Sequence, residues 1–600
     1  MPAPSPSPEA ATEARRLTGH VIVCGVDHLG LRTVRELRLR DEQVVVIAPT
    51  GLPPDVAGLD DIPVVTGDPR AEATLADAGV AAAAALVLTL EDDHANLDIA
   101  ITAQDLNTSL RIVIRMFDAE LGAHLRELFP DAVVLSSSAL AAPAFVSAAL
   151  DGEGGERFLA AGRLLSVRFA GEPAPDGDRL GTRDGIVRIP IARLRADRSV
   201  DLLPAGTAEA PGTVSVDVVP LSAEELAAAG GPLGVVGLAS DLGGIGGAGR
   251  SLVARIREVP GSVRAQVQLP ERRLVRFGAA LGALALISAL YFELTAGLTP
   301  LDALAYAVTL LTGASLVTSL DPTTAPATLK VYAIGLSLVG AALVAVVYAL
   351  ITDALIRSRL MQTLGRRTVP SSISGHIIVC GLGTIGYRVV QGLLARGATV
   401  VAVETDENGR FVAPARSLGI PVVIGDARQR EVLEQVGLSR CRALIAATSD
   451  DLVNLAAALN ARGLRPDLRV VVRLFDPDFA VRVQHRFAIR FTRSVSHLAA
   501  PAFATAALGS EVVATIPVGD RRVIVFARLR AGEGSGLVGR RVAELTKDGE
   551  RRIAAWLPSG DESAGAWTPD DATVVGLGDE LLAVATRQGL ADLLAIDRAR

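Results

Sequence analysis

The 600-residue sequence has few of the residues from which catalytic, metal and disulfide sites are usually built. Its three cysteines, Cys24, Cys380 and Cys441, form no CxxC pair and no disulfide framework, which is typical of a reducing compartment. The seven histidines show no metal-binding spacing such as HxxxH, and no GxSxG nucleophile motif stands out. We therefore expect that the protein is not an enzyme.

Aromatic residues are also scarce, at 4% of the chain against 50% hydrophobic residues, so the predicted cores consist of alanine, valine and leucine. The net charge of −7, without a basic stripe interleaved with aromatics, argues against nucleic acid as a partner. Residues 1–18 are rich in proline, alanine and serine and lack the apolar core of a signal peptide. We expect them to form a disordered tail.

Two long apolar runs, at about residues 274–295 and 331–353, are the candidate transmembrane spans. Residues 331–352 contain no charged side chain, and a helix of that length crosses a bilayer core of about 30 Å. The alternative for each run is a buried core helix. Basic residues flank the pair on the outside: Arg272, Arg273, Arg276, Arg357, Arg359, Arg366 and Arg367. This distribution predicts a plasma-membrane (inner-membrane) protein with two spans and both termini in the cytoplasm.

The connection between the two runs is longer than a simple hairpin requires. Residues 300–311 read as a capped, mostly apolar helix, which is followed by Thr312, Gly313, Ala314, Ser315 and Leu316. Irregular backbone at membrane depth is tolerated where it lines a watery path. The order of span, short helix, turn and span resembles the pore unit of two-span potassium channels. The turn departs from the TVGYG filter of those channels because its second glycine is missing, which puts ion selectivity in doubt.

An internal repeat organises the rest of the chain. Residues 20–25 recur at 376–381, residues 115–118 at 473–476, and residues 140–145 at 498–503, so one ancestral domain is used twice. Short β-branched runs alternate with helix-like stretches in each copy; the predicted strands of the second are 377–380, 399–403, 422–424, 443–446, 469–473 and 489–492. This alternation predicts an α/β fold with two doubly wound parallel sheets, that is, two Rossmann-like units.

The second copy carries an intact glycine loop between its first strand and first helix. Gly381 permits a tight turn, Gly383 lets the backbone approach a pyrophosphate, and Gly386 allows the helix to pack on the strand. Glu404 ends the second strand, where a carboxylate can accept hydrogen bonds from ribose hydroxyls. The candidate nucleotide-binding residues of this region are Gly381, Gly383, Thr384, Ile385, Gly386 and Glu404. The alternative is a glycine turn with a purely structural role.

The first copy departs from this pattern at both points. Asp27 replaces the middle glycine and places a carboxylate where a phosphate would bind, and Ala48 and Pro49 end the second strand without an acidic residue. Like charges a few ångströms apart in a dry loop repel by several kcal/mol. We expect this copy not to bind dinucleotides, or to be adapted to another ligand.

Two further motifs carry a resemblance to a known family. Residues 424–427 read Ile-Gly-Asp-Ala, and residues 448–455 place an acidic pair before Asn-Leu; residues 66–69 and 91–97 are their counterparts in the first copy. With the glycine loop, these motifs resemble the N-terminal subdomain of RCK domains, which regulate potassium channels and TrkA-type transporters. The resemblance implies that NAD or an adenine nucleotide binds to the second copy.

By the same resemblance, Asp426 and Ala427 lie near the adenosine, and Thr448 and Arg473 lie near the phosphates. The alternative for the carboxylates is that they cap helix N-termini, which we prefer for Asp92, Asp93 and Asp450. The whole chain then divides into a tail (1–18), a degenerate N-terminal subdomain (19–149), a C-terminal-like subdomain (150–269), the membrane segment (270–360), a linker (361–374), a second N-terminal subdomain (375–508) and a second C-terminal subdomain (509–600).

Three functions are compatible with this organisation. The leading hypothesis is a ligand-gated channel for a monovalent cation, potassium by preference, that assembles as a homotetramer. The second is a non-conducting, membrane-anchored nucleotide sensor that regulates another transporter. The third and weakest is a membrane-bound NAD-dependent oxidoreductase.

Overall fold

The computed structural model divides the chain into two compact units, Met1–Gly247 with Thr368–Arg600, and Ala248–Arg367. The residues that the structure describes are 8–49, 59, 61–118, 121–122, 125, 129, 132–151, 155–169, 186–194, 200–204, 207–210, 213–220, 271–312, 326–363, 369–370, 372–518, 522–560 and 565–598. Each unit is treated separately below.

The first copy of the repeat forms a six-stranded parallel sheet with the order β3-β2-β1-β4-β5-β6. Its strands are β1 (Val21–Cys24), β2 (Val44–Ala48), β3 (Val64–Thr66), β4 (Ala85–Leu88), β5 (Arg111–Arg115) and β6 (Val133–Leu135). Its helices are α1 (Pro8–Ala14), α2 (His28–Arg38), α3 (Glu72–Asp77), α4 (Asp93–Leu106) and α5 (Ser137–Leu150). The strand order reverses between β1 and β4, so the loops that follow these two strands meet at one edge, where α/β sheets bind ligands.

The second copy repeats this sheet, with the order β14-β13-β12-β15-β16-β17. Its strands are β12 (Ile377–Cys380), β13 (Val400–Glu404), β14 (Val422–Ile424), β15 (Ala443–Ala446), β16 (Arg469–Arg473) and β17 (Phe491–Arg493). Its helices will be numbered after those of the membrane segment. The two predicted Rossmann-like units are confirmed; among the predicted strands, 399–403 begins and ends one residue later and 489–492 is shifted to 491–493.

Three helices of the second unit lie between the two copies in sequence: α6 (Glu271–Ala296), α7 (Pro300–Thr312) and α8 (Ala327–Thr363). The helices of the second copy follow as α9 (Thr384–Ala395), α10 (Val412–Ser417), α11 (Arg430–Gln435), α12 (Asp451–Leu464), α13 (Pro477–Phe487) and α14 (Val495–Ala507), and the chain continues with α15 (Val542–Leu545) and α16 (Arg587–Arg598).

The two copies exchange their last helices. Helix α14 of the second copy packs against α2 of the first copy, α5 of the first copy packs against α9 of the second, and α5 and α14 also pack against each other. Both exchanged helices are buried along most of their length, and Phe145 and Phe503 are fully buried in one shared apolar cluster. A helix that is apolar on every side has to be covered on every side, which the exchange achieves.

A smaller antiparallel sheet of five strands follows each copy. The first comprises β7 (Arg157–Ala160), β8 (Arg163–Phe169), β9 (Val187–Leu194), β10 (Val200–Leu202) and β11 (Thr213–Pro220). The second comprises β18 (Glu511–Val518), β19 (Arg522–Arg530), β20 (Arg551–Leu557), β21 (Ala566–Trp567) and β22 (Glu580–Ala585). The two sheets contribute to one apolar cluster, in which the rings of Phe158 and Phe526 lie 4.8 Å apart between centroids.

The segment predicted to be a disordered tail differs from that expectation. Residues 8–14 form helix α1, whose Ala14 is fully buried and belongs to the apolar cluster of the first copy. Arg15 also forms an ion pair with Asp77. The small side chains of this segment pack closely, so its low content of large apolar residues does not prevent it from folding onto the sheet.

In the second unit, one helix segment is long and apolar enough to cross a membrane: Ala327–Val346 within α8, with a mean hydropathy of 2.0. In α6, the apolar segment among the residues whose side chains the structure describes is Leu281–Ala296, which is shorter than the roughly 20 residues that a span requires. Among the described residues, the predicted two-span hairpin is therefore not confirmed. The predicted turn residues Gly313, Ala314, Ser315 and Leu316 lie outside the described residues.

Helix α7 packs against both α6 and α8. Thr299 caps α7, with its hydroxyl 2.7 Å from a carboxylate oxygen of Asp302 and accepting a hydrogen bond from the Asp302 amide. Helix α8 approaches the end of α7 at Gly340, where an added Cβ atom would lie 2.4 Å from the carbonyl oxygen of Leu311. A side chain at position 340 cannot be accommodated unless the helices separate.

This close contact yields a test of the helix packing. We expect Gly340→Leu to destabilise the second unit by about 1–3 kcal/mol, the usual cost of overpacking. Gly335→Leu on the same helix is the matched control, because Gly335 is exposed and an added Cβ there meets no atom within 4 Å. Thermal unfolding of the detergent-solubilised protein measures both. Equal midpoints for the two variants would contradict the contact between α7 and α8.

Candidate functional site

The glycine loop of the second copy has the backbone geometry that a nucleotide site requires. Gly381 has a φ of +94°, and an added Cβ would lie 2.9 Å from Cγ2 of Thr448. An added Cβ on Gly386 would lie 1.9 Å from the carbonyl oxygen of Gly381. At Gly383, in contrast, an added Cβ meets no atom within 4 Å. The outer glycines are therefore required by contacts within the protein, whereas the middle one faces open space at the N-terminus of α9, where an anion is stabilised.

Glu404, at the end of β13, lies beside this loop. One carboxylate oxygen accepts a hydrogen bond from the Leu382 amide at 2.6 Å, and the other accepts hydrogen bonds from the amides of Thr405 at 2.7 Å and Asp406 at 3.3 Å. These bonds fix the orientation of the half-buried carboxylate. The remaining lone pairs of its oxygens can accept hydrogen bonds from hydroxyl groups.

Thr448 and Arg473, which follow β15 and end β16, are brought together by Asn454. The amide and the hydroxyl of Thr448 each donate to the Asn454 side-chain oxygen at 2.8 Å. The Asn454 side-chain nitrogen donates to the carbonyls of Thr448 and Arg473, both at 3.1 Å. Asn454 is fully buried, and its place in the motif of residues 448–455 did not predict this organising role.

Arg473 places a positive charge at the same edge of the sheet. Its guanidinium donates to the carbonyl of Thr448 at 3.2 Å and lies 4.4 Å from the centroid of the Phe475 ring. Burial lowers the pKa of Arg473 to about 10, which leaves the side chain charged at neutral pH. Its Nε is buried and has no hydrogen-bond partner among the described residues.

Asp426 and Ala427 follow β14, and the contacts of Asp426 are with Arg428 and not with the glycine loop. The Asp426 carboxylate accepts two hydrogen bonds from Nε of Arg428, at 3.0 and 2.9 Å, and one from Nη2 at 2.7 Å, and these bonds lower the pKa of Asp426. Ala427 is buried. Asp68 and Arg70 form the same pair in the first copy. The proximity of Asp426 to an adenosine therefore stays a prediction.

The carboxylates assigned to helix capping divide into two groups. Asp92 and Asp450 cap α4 and α12, as expected, by accepting hydrogen bonds from backbone amides at 2.9 and 2.8 Å. The assignment is wrong for Asp93, which accepts hydrogen bonds from the amide of Phe117 at 3.0 Å and the amide of Asp118 at 3.0 Å. Asp93 thus anchors the loop after β5 to the start of α4, because its carboxylate accepts hydrogen bonds from two amides of that loop.

In the first copy, a side chain of the protein occupies the place that is open in the second. Asp27 accepts a hydrogen bond from the Gly30 amide at 2.8 Å and forms an ion pair with Arg115, also at 2.8 Å. Arg115 is the counterpart of Arg473 in the repeat. Burial raises the pKa of Asp27, an effect that Arg115 opposes. Gly25 keeps a positive φ of +115°, so the loop backbone is retained while its anion is supplied internally.

Each copy also contacts the candidate site of the other. The His28 ring of the first copy stacks on the Phe475 ring of the second at a centroid distance of 4.5 Å. On the opposite side, Arg388 donates to the Phe117 carbonyl at 3.0 Å and lies over the Phe117 ring. Phe475, which contacts the Arg473 guanidinium, is therefore itself packed against His28 of the first copy.

Fold and site together define a tandem of two Rossmann-like units. Residues 21–136 and 377–490 match the TrkA-N domain family, so the chain contains two TrkA-N domains, as the motif resemblance predicted. The match covers all six strands of the first parallel sheet and the first five of the second, β12 to β16.

The chain is similar to several potassium transport proteins. It is 32% identical over 171 residues to K(+) efflux antiporter 2, chloroplastic, of Arabidopsis thaliana, which covers 28% of this chain and 14% of that protein. It is 24% identical over 105 residues to potassium channel protein 1 of Methanocaldococcus jannaschii, which covers 18% of this chain and 32% of that protein. The first two curated relatives are matched over only 14% and 26% of their own lengths. Among solved structures, the GsuK channel bound to NAD aligns with a TM-score of 0.48 and 16% identity, covering 98% of this chain and 80% of that one.

The open space at Gly383 provides a test of the binding site. We expect Gly383→Asp in the full-length protein to reduce nucleotide affinity at least about 100-fold, because the new carboxylate reproduces Asp27 and repels the phosphates. The fold tolerates the change, since Gly383 has a φ of −75° and an added Cβ meets no atom within 4 Å. Isothermal titration calorimetry with NAD, ADP and AMP measures the affinity.

The neutral variant Gly383→Asn is the matched control, because it adds nearly the same volume without the charge. We expect Gly383→Asn to retain most of the affinity that Gly383→Asp loses. Unchanged affinity in Gly383→Asp would show that the nucleotide does not bind at this loop.

Proposed function

We propose that the protein is a potassium transport protein of the plasma membrane that is regulated by NAD or an adenine nucleotide bound to its second TrkA-N domain. The observation that carries the proposal is the difference between the two glycine loops. The second is open at Gly383, whereas the first is filled by the Asp27–Arg115 pair. Of the two loops, the second is therefore the one that would bind a phosphate-bearing ligand.

The residues of the second site fit such a ligand. The amides at the N-terminus of α9 and the Arg473 guanidinium would bind the pyrophosphate, and the Glu404 carboxylate would accept hydrogen bonds from the ribose hydroxyls. The GsuK channel has been solved bound to NAD and bound to ADP, and the Kef C-terminal domain of Shewanella denitrificans in an AMP-bound form. The three compounds share the adenosine and phosphate groups that these residues would recognise.

The membrane part of the proposal uses the two apolar runs of the sequence. In it, α6 and α8 are the two spans, α7 is a pore helix, and Thr312 with the four residues that follow it forms the ion path. Four chains form a homotetramer around one pore, with both termini of each chain in the cytoplasm. The contact of capped α7 with both longer helices supports this arrangement, and so do the names of the relatives, which are potassium antiporters and potassium channels.

A non-conducting nucleotide sensor is the competing function. Two observations favour it: the missing second glycine after Thr312, and the similarity to antiporters, in which a separate membrane domain would carry the ion. Catalysis of a nicotinamide reaction is the weakest alternative, and we propose that the protein is not an enzyme.

Ion flux distinguishes these functions. We expect the purified full-length protein in liposomes to conduct potassium in preference to sodium, and the flux to change when NAD, ADP or AMP is added. Gly383→Asp should keep the basal flux and lose the nucleotide response. Absence of flux with intact nucleotide binding would identify the sensor, and turnover of NADH would identify the oxidoreductase.

The connection from α8 to the second copy provides a second test. Val369 is buried and its amide donates to the Gln435 carbonyl at 3.1 Å, so the second copy is anchored from this residue onward. We expect a flexible Gly-Ser insert in the linker 361–374, placed immediately before Val369, to leave nucleotide affinity unchanged and to weaken its effect on flux, because a slack linker transmits less strain.

The same insert placed between Gly532 and Glu533, in an exposed turn of the second C-terminal sheet, is the control. If the linker insert leaves the nucleotide-dependent change in flux intact, the coupling does not pass through this connection.

A further inference from the structure

Arginines of the second copy surround the C-terminal turn of α5 in the first copy. Arg442 donates to the Leu150 carbonyl at 2.6 Å, and Arg469 donates to the same carbonyl at 3.0 Å and to that of Ala149 at 3.2 Å. Arg493 donates to the Ala144 carbonyl at 3.4 Å. Cations at the end of a helix stabilise its unpaired carbonyl groups, so this contact joins the two copies.

Two buried carboxylates of the first copy lie in the same cluster. Asp151, the C-cap of α5, forms an ion pair with Arg396 of the second copy at 2.7 Å. Glu156 is only 3% exposed, and its Oε2 has no hydrogen-bond partner among the described residues. A buried carboxylate oxygen without a hydrogen bond strongly disfavours the ionised form of its group.

Charged groups of both copies lie around Glu156. Arg493 in β17, Asp151 after α5 and Arg396 after α9 act on Glu156 itself. Arg157 in β7 and Arg442 before β15 act on Asp151, and Arg469 in β16 donates to the same end of α5. Burial raises the pKa of Glu156 to about 7 and the Asp151 charge adds to the increase, while Arg493 and Arg396 oppose it. The pKa of Asp151 is also raised by burial, against the effect of Arg396.

The sign of the resulting pH dependence follows from linkage. A carboxyl group whose pKa is raised in the closed structure binds its proton more tightly there than in water. The closed contact is therefore most stable at low pH and loses stability as the pH rises from the ordinary pKa of a glutamate to the raised one. Opening the contact hydrates Glu156, which restores its ordinary pKa.

We propose that Glu156, with Asp151 beside it, forms a proton-controlled latch between the two TrkA-N domains. Protonated Glu156 keeps the end of α5 closed against the arginines of the second copy. Deprotonation weakens this contact, so a rise in cytoplasmic pH loosens the pairing of the two copies. The proposal does not depend on nucleotide binding, because the cluster shares no residue with the glycine loops.

Hydrogen exchange in the full-length protein tests the latch. Exchange rates of the α5 amides (Ser137–Leu150) are compared between the wild type and Glu156→Gln, which stays neutral at every pH. Because both proteins are measured at the same pH, the intrinsic pH dependence of exchange cancels. We expect the ratio of wild-type to variant rates to increase up to about tenfold between about pH 6 and about pH 8.

Two further variants refine the test. Asp151→Asn removes the neighbouring negative charge and frees Arg396, so it should move the increase to lower pH. Glu431→Gln, at an exposed position on α11, is the control and should give a constant ratio near one. A ratio of wild-type to Glu156→Gln rates that does not change with pH would overturn the proposal.

An infrared titration of the wild type supplies a readout that does not require the variant to fold. We expect the C=O stretch of a protonated, buried carboxylic acid to disappear as the pH rises through about 7. If no carboxylic acid titrates in that range, Glu156 is not the proton-binding group and the latch is wrong.

Discussion

The exchange of α5 and α14 between the two copies is the constraint on which the rest of the structure depends. Each of these helices follows the last strand of one parallel sheet and packs against a helix of the other copy: α5 against α9, and α14 against α2. Burial of one large apolar side chain such as Phe145 or Phe503 contributes about 1.5–3 kcal/mol, and both helices are lined with such contacts. The two copies cannot separate without exposing the apolar surface of α5 and α14 to water. The two glycine loops therefore keep a fixed distance and orientation.

In this fixed pairing, the two glycine loops have the same backbone conformation but differ in the side chain at their middle position. Gly25 and Gly381 both adopt positive φ, and an added Cβ on the last glycine of either loop, Gly30 or Gly386, would collide with the carbonyl of the first. The loop conformation is thus set by the packing of helix on strand in both copies. Only the group that neutralises Arg115 or Arg473 changes: it is Asp27 in the first copy. In the second, the equivalent space at Gly383 is open.

The sequence predicted features that depend on neighbouring residues better than features that depend on distant ones. The strands and the glycine loops follow from local alternation and from residues next to one another in the chain, and they were located to within one or two residues. The partner of Asp27, Arg115, lies 88 residues away in the chain. The sequence predicted that Asp27 would repel a phosphate, but it did not indicate which basic residue would pair with Asp27. The roles of Asn454 and Asp93 were missed for the same reason, since their partners belong to other loops.

In the membrane segment, composition identified the two apolar runs, and the structure adds where their helices begin and end. Helix α6 begins at Glu271, before the run at 274–295, and α8 continues to Thr363, beyond the run at 331–353. A helix boundary depends on packing and solvent along the whole element, which a run of apolar letters does not encode.

The presence of both TrkA-N domains in one polypeptide has an evolutionary consequence. In a symmetric dimer of two identical chains, a single mutation appears on both sides of the interface, so an aspartate in the glycine loop would inactivate both sites at once. Here the two halves are encoded separately, and the matching positions hold Asp27 in one and Gly383 in the other. Covalent linkage also holds the halves at a high effective concentration, so their interface tolerates substitutions that would dissociate separate subunits. Gene duplication therefore allowed one half to specialise as a permanently neutralised scaffold while its twin kept an open loop.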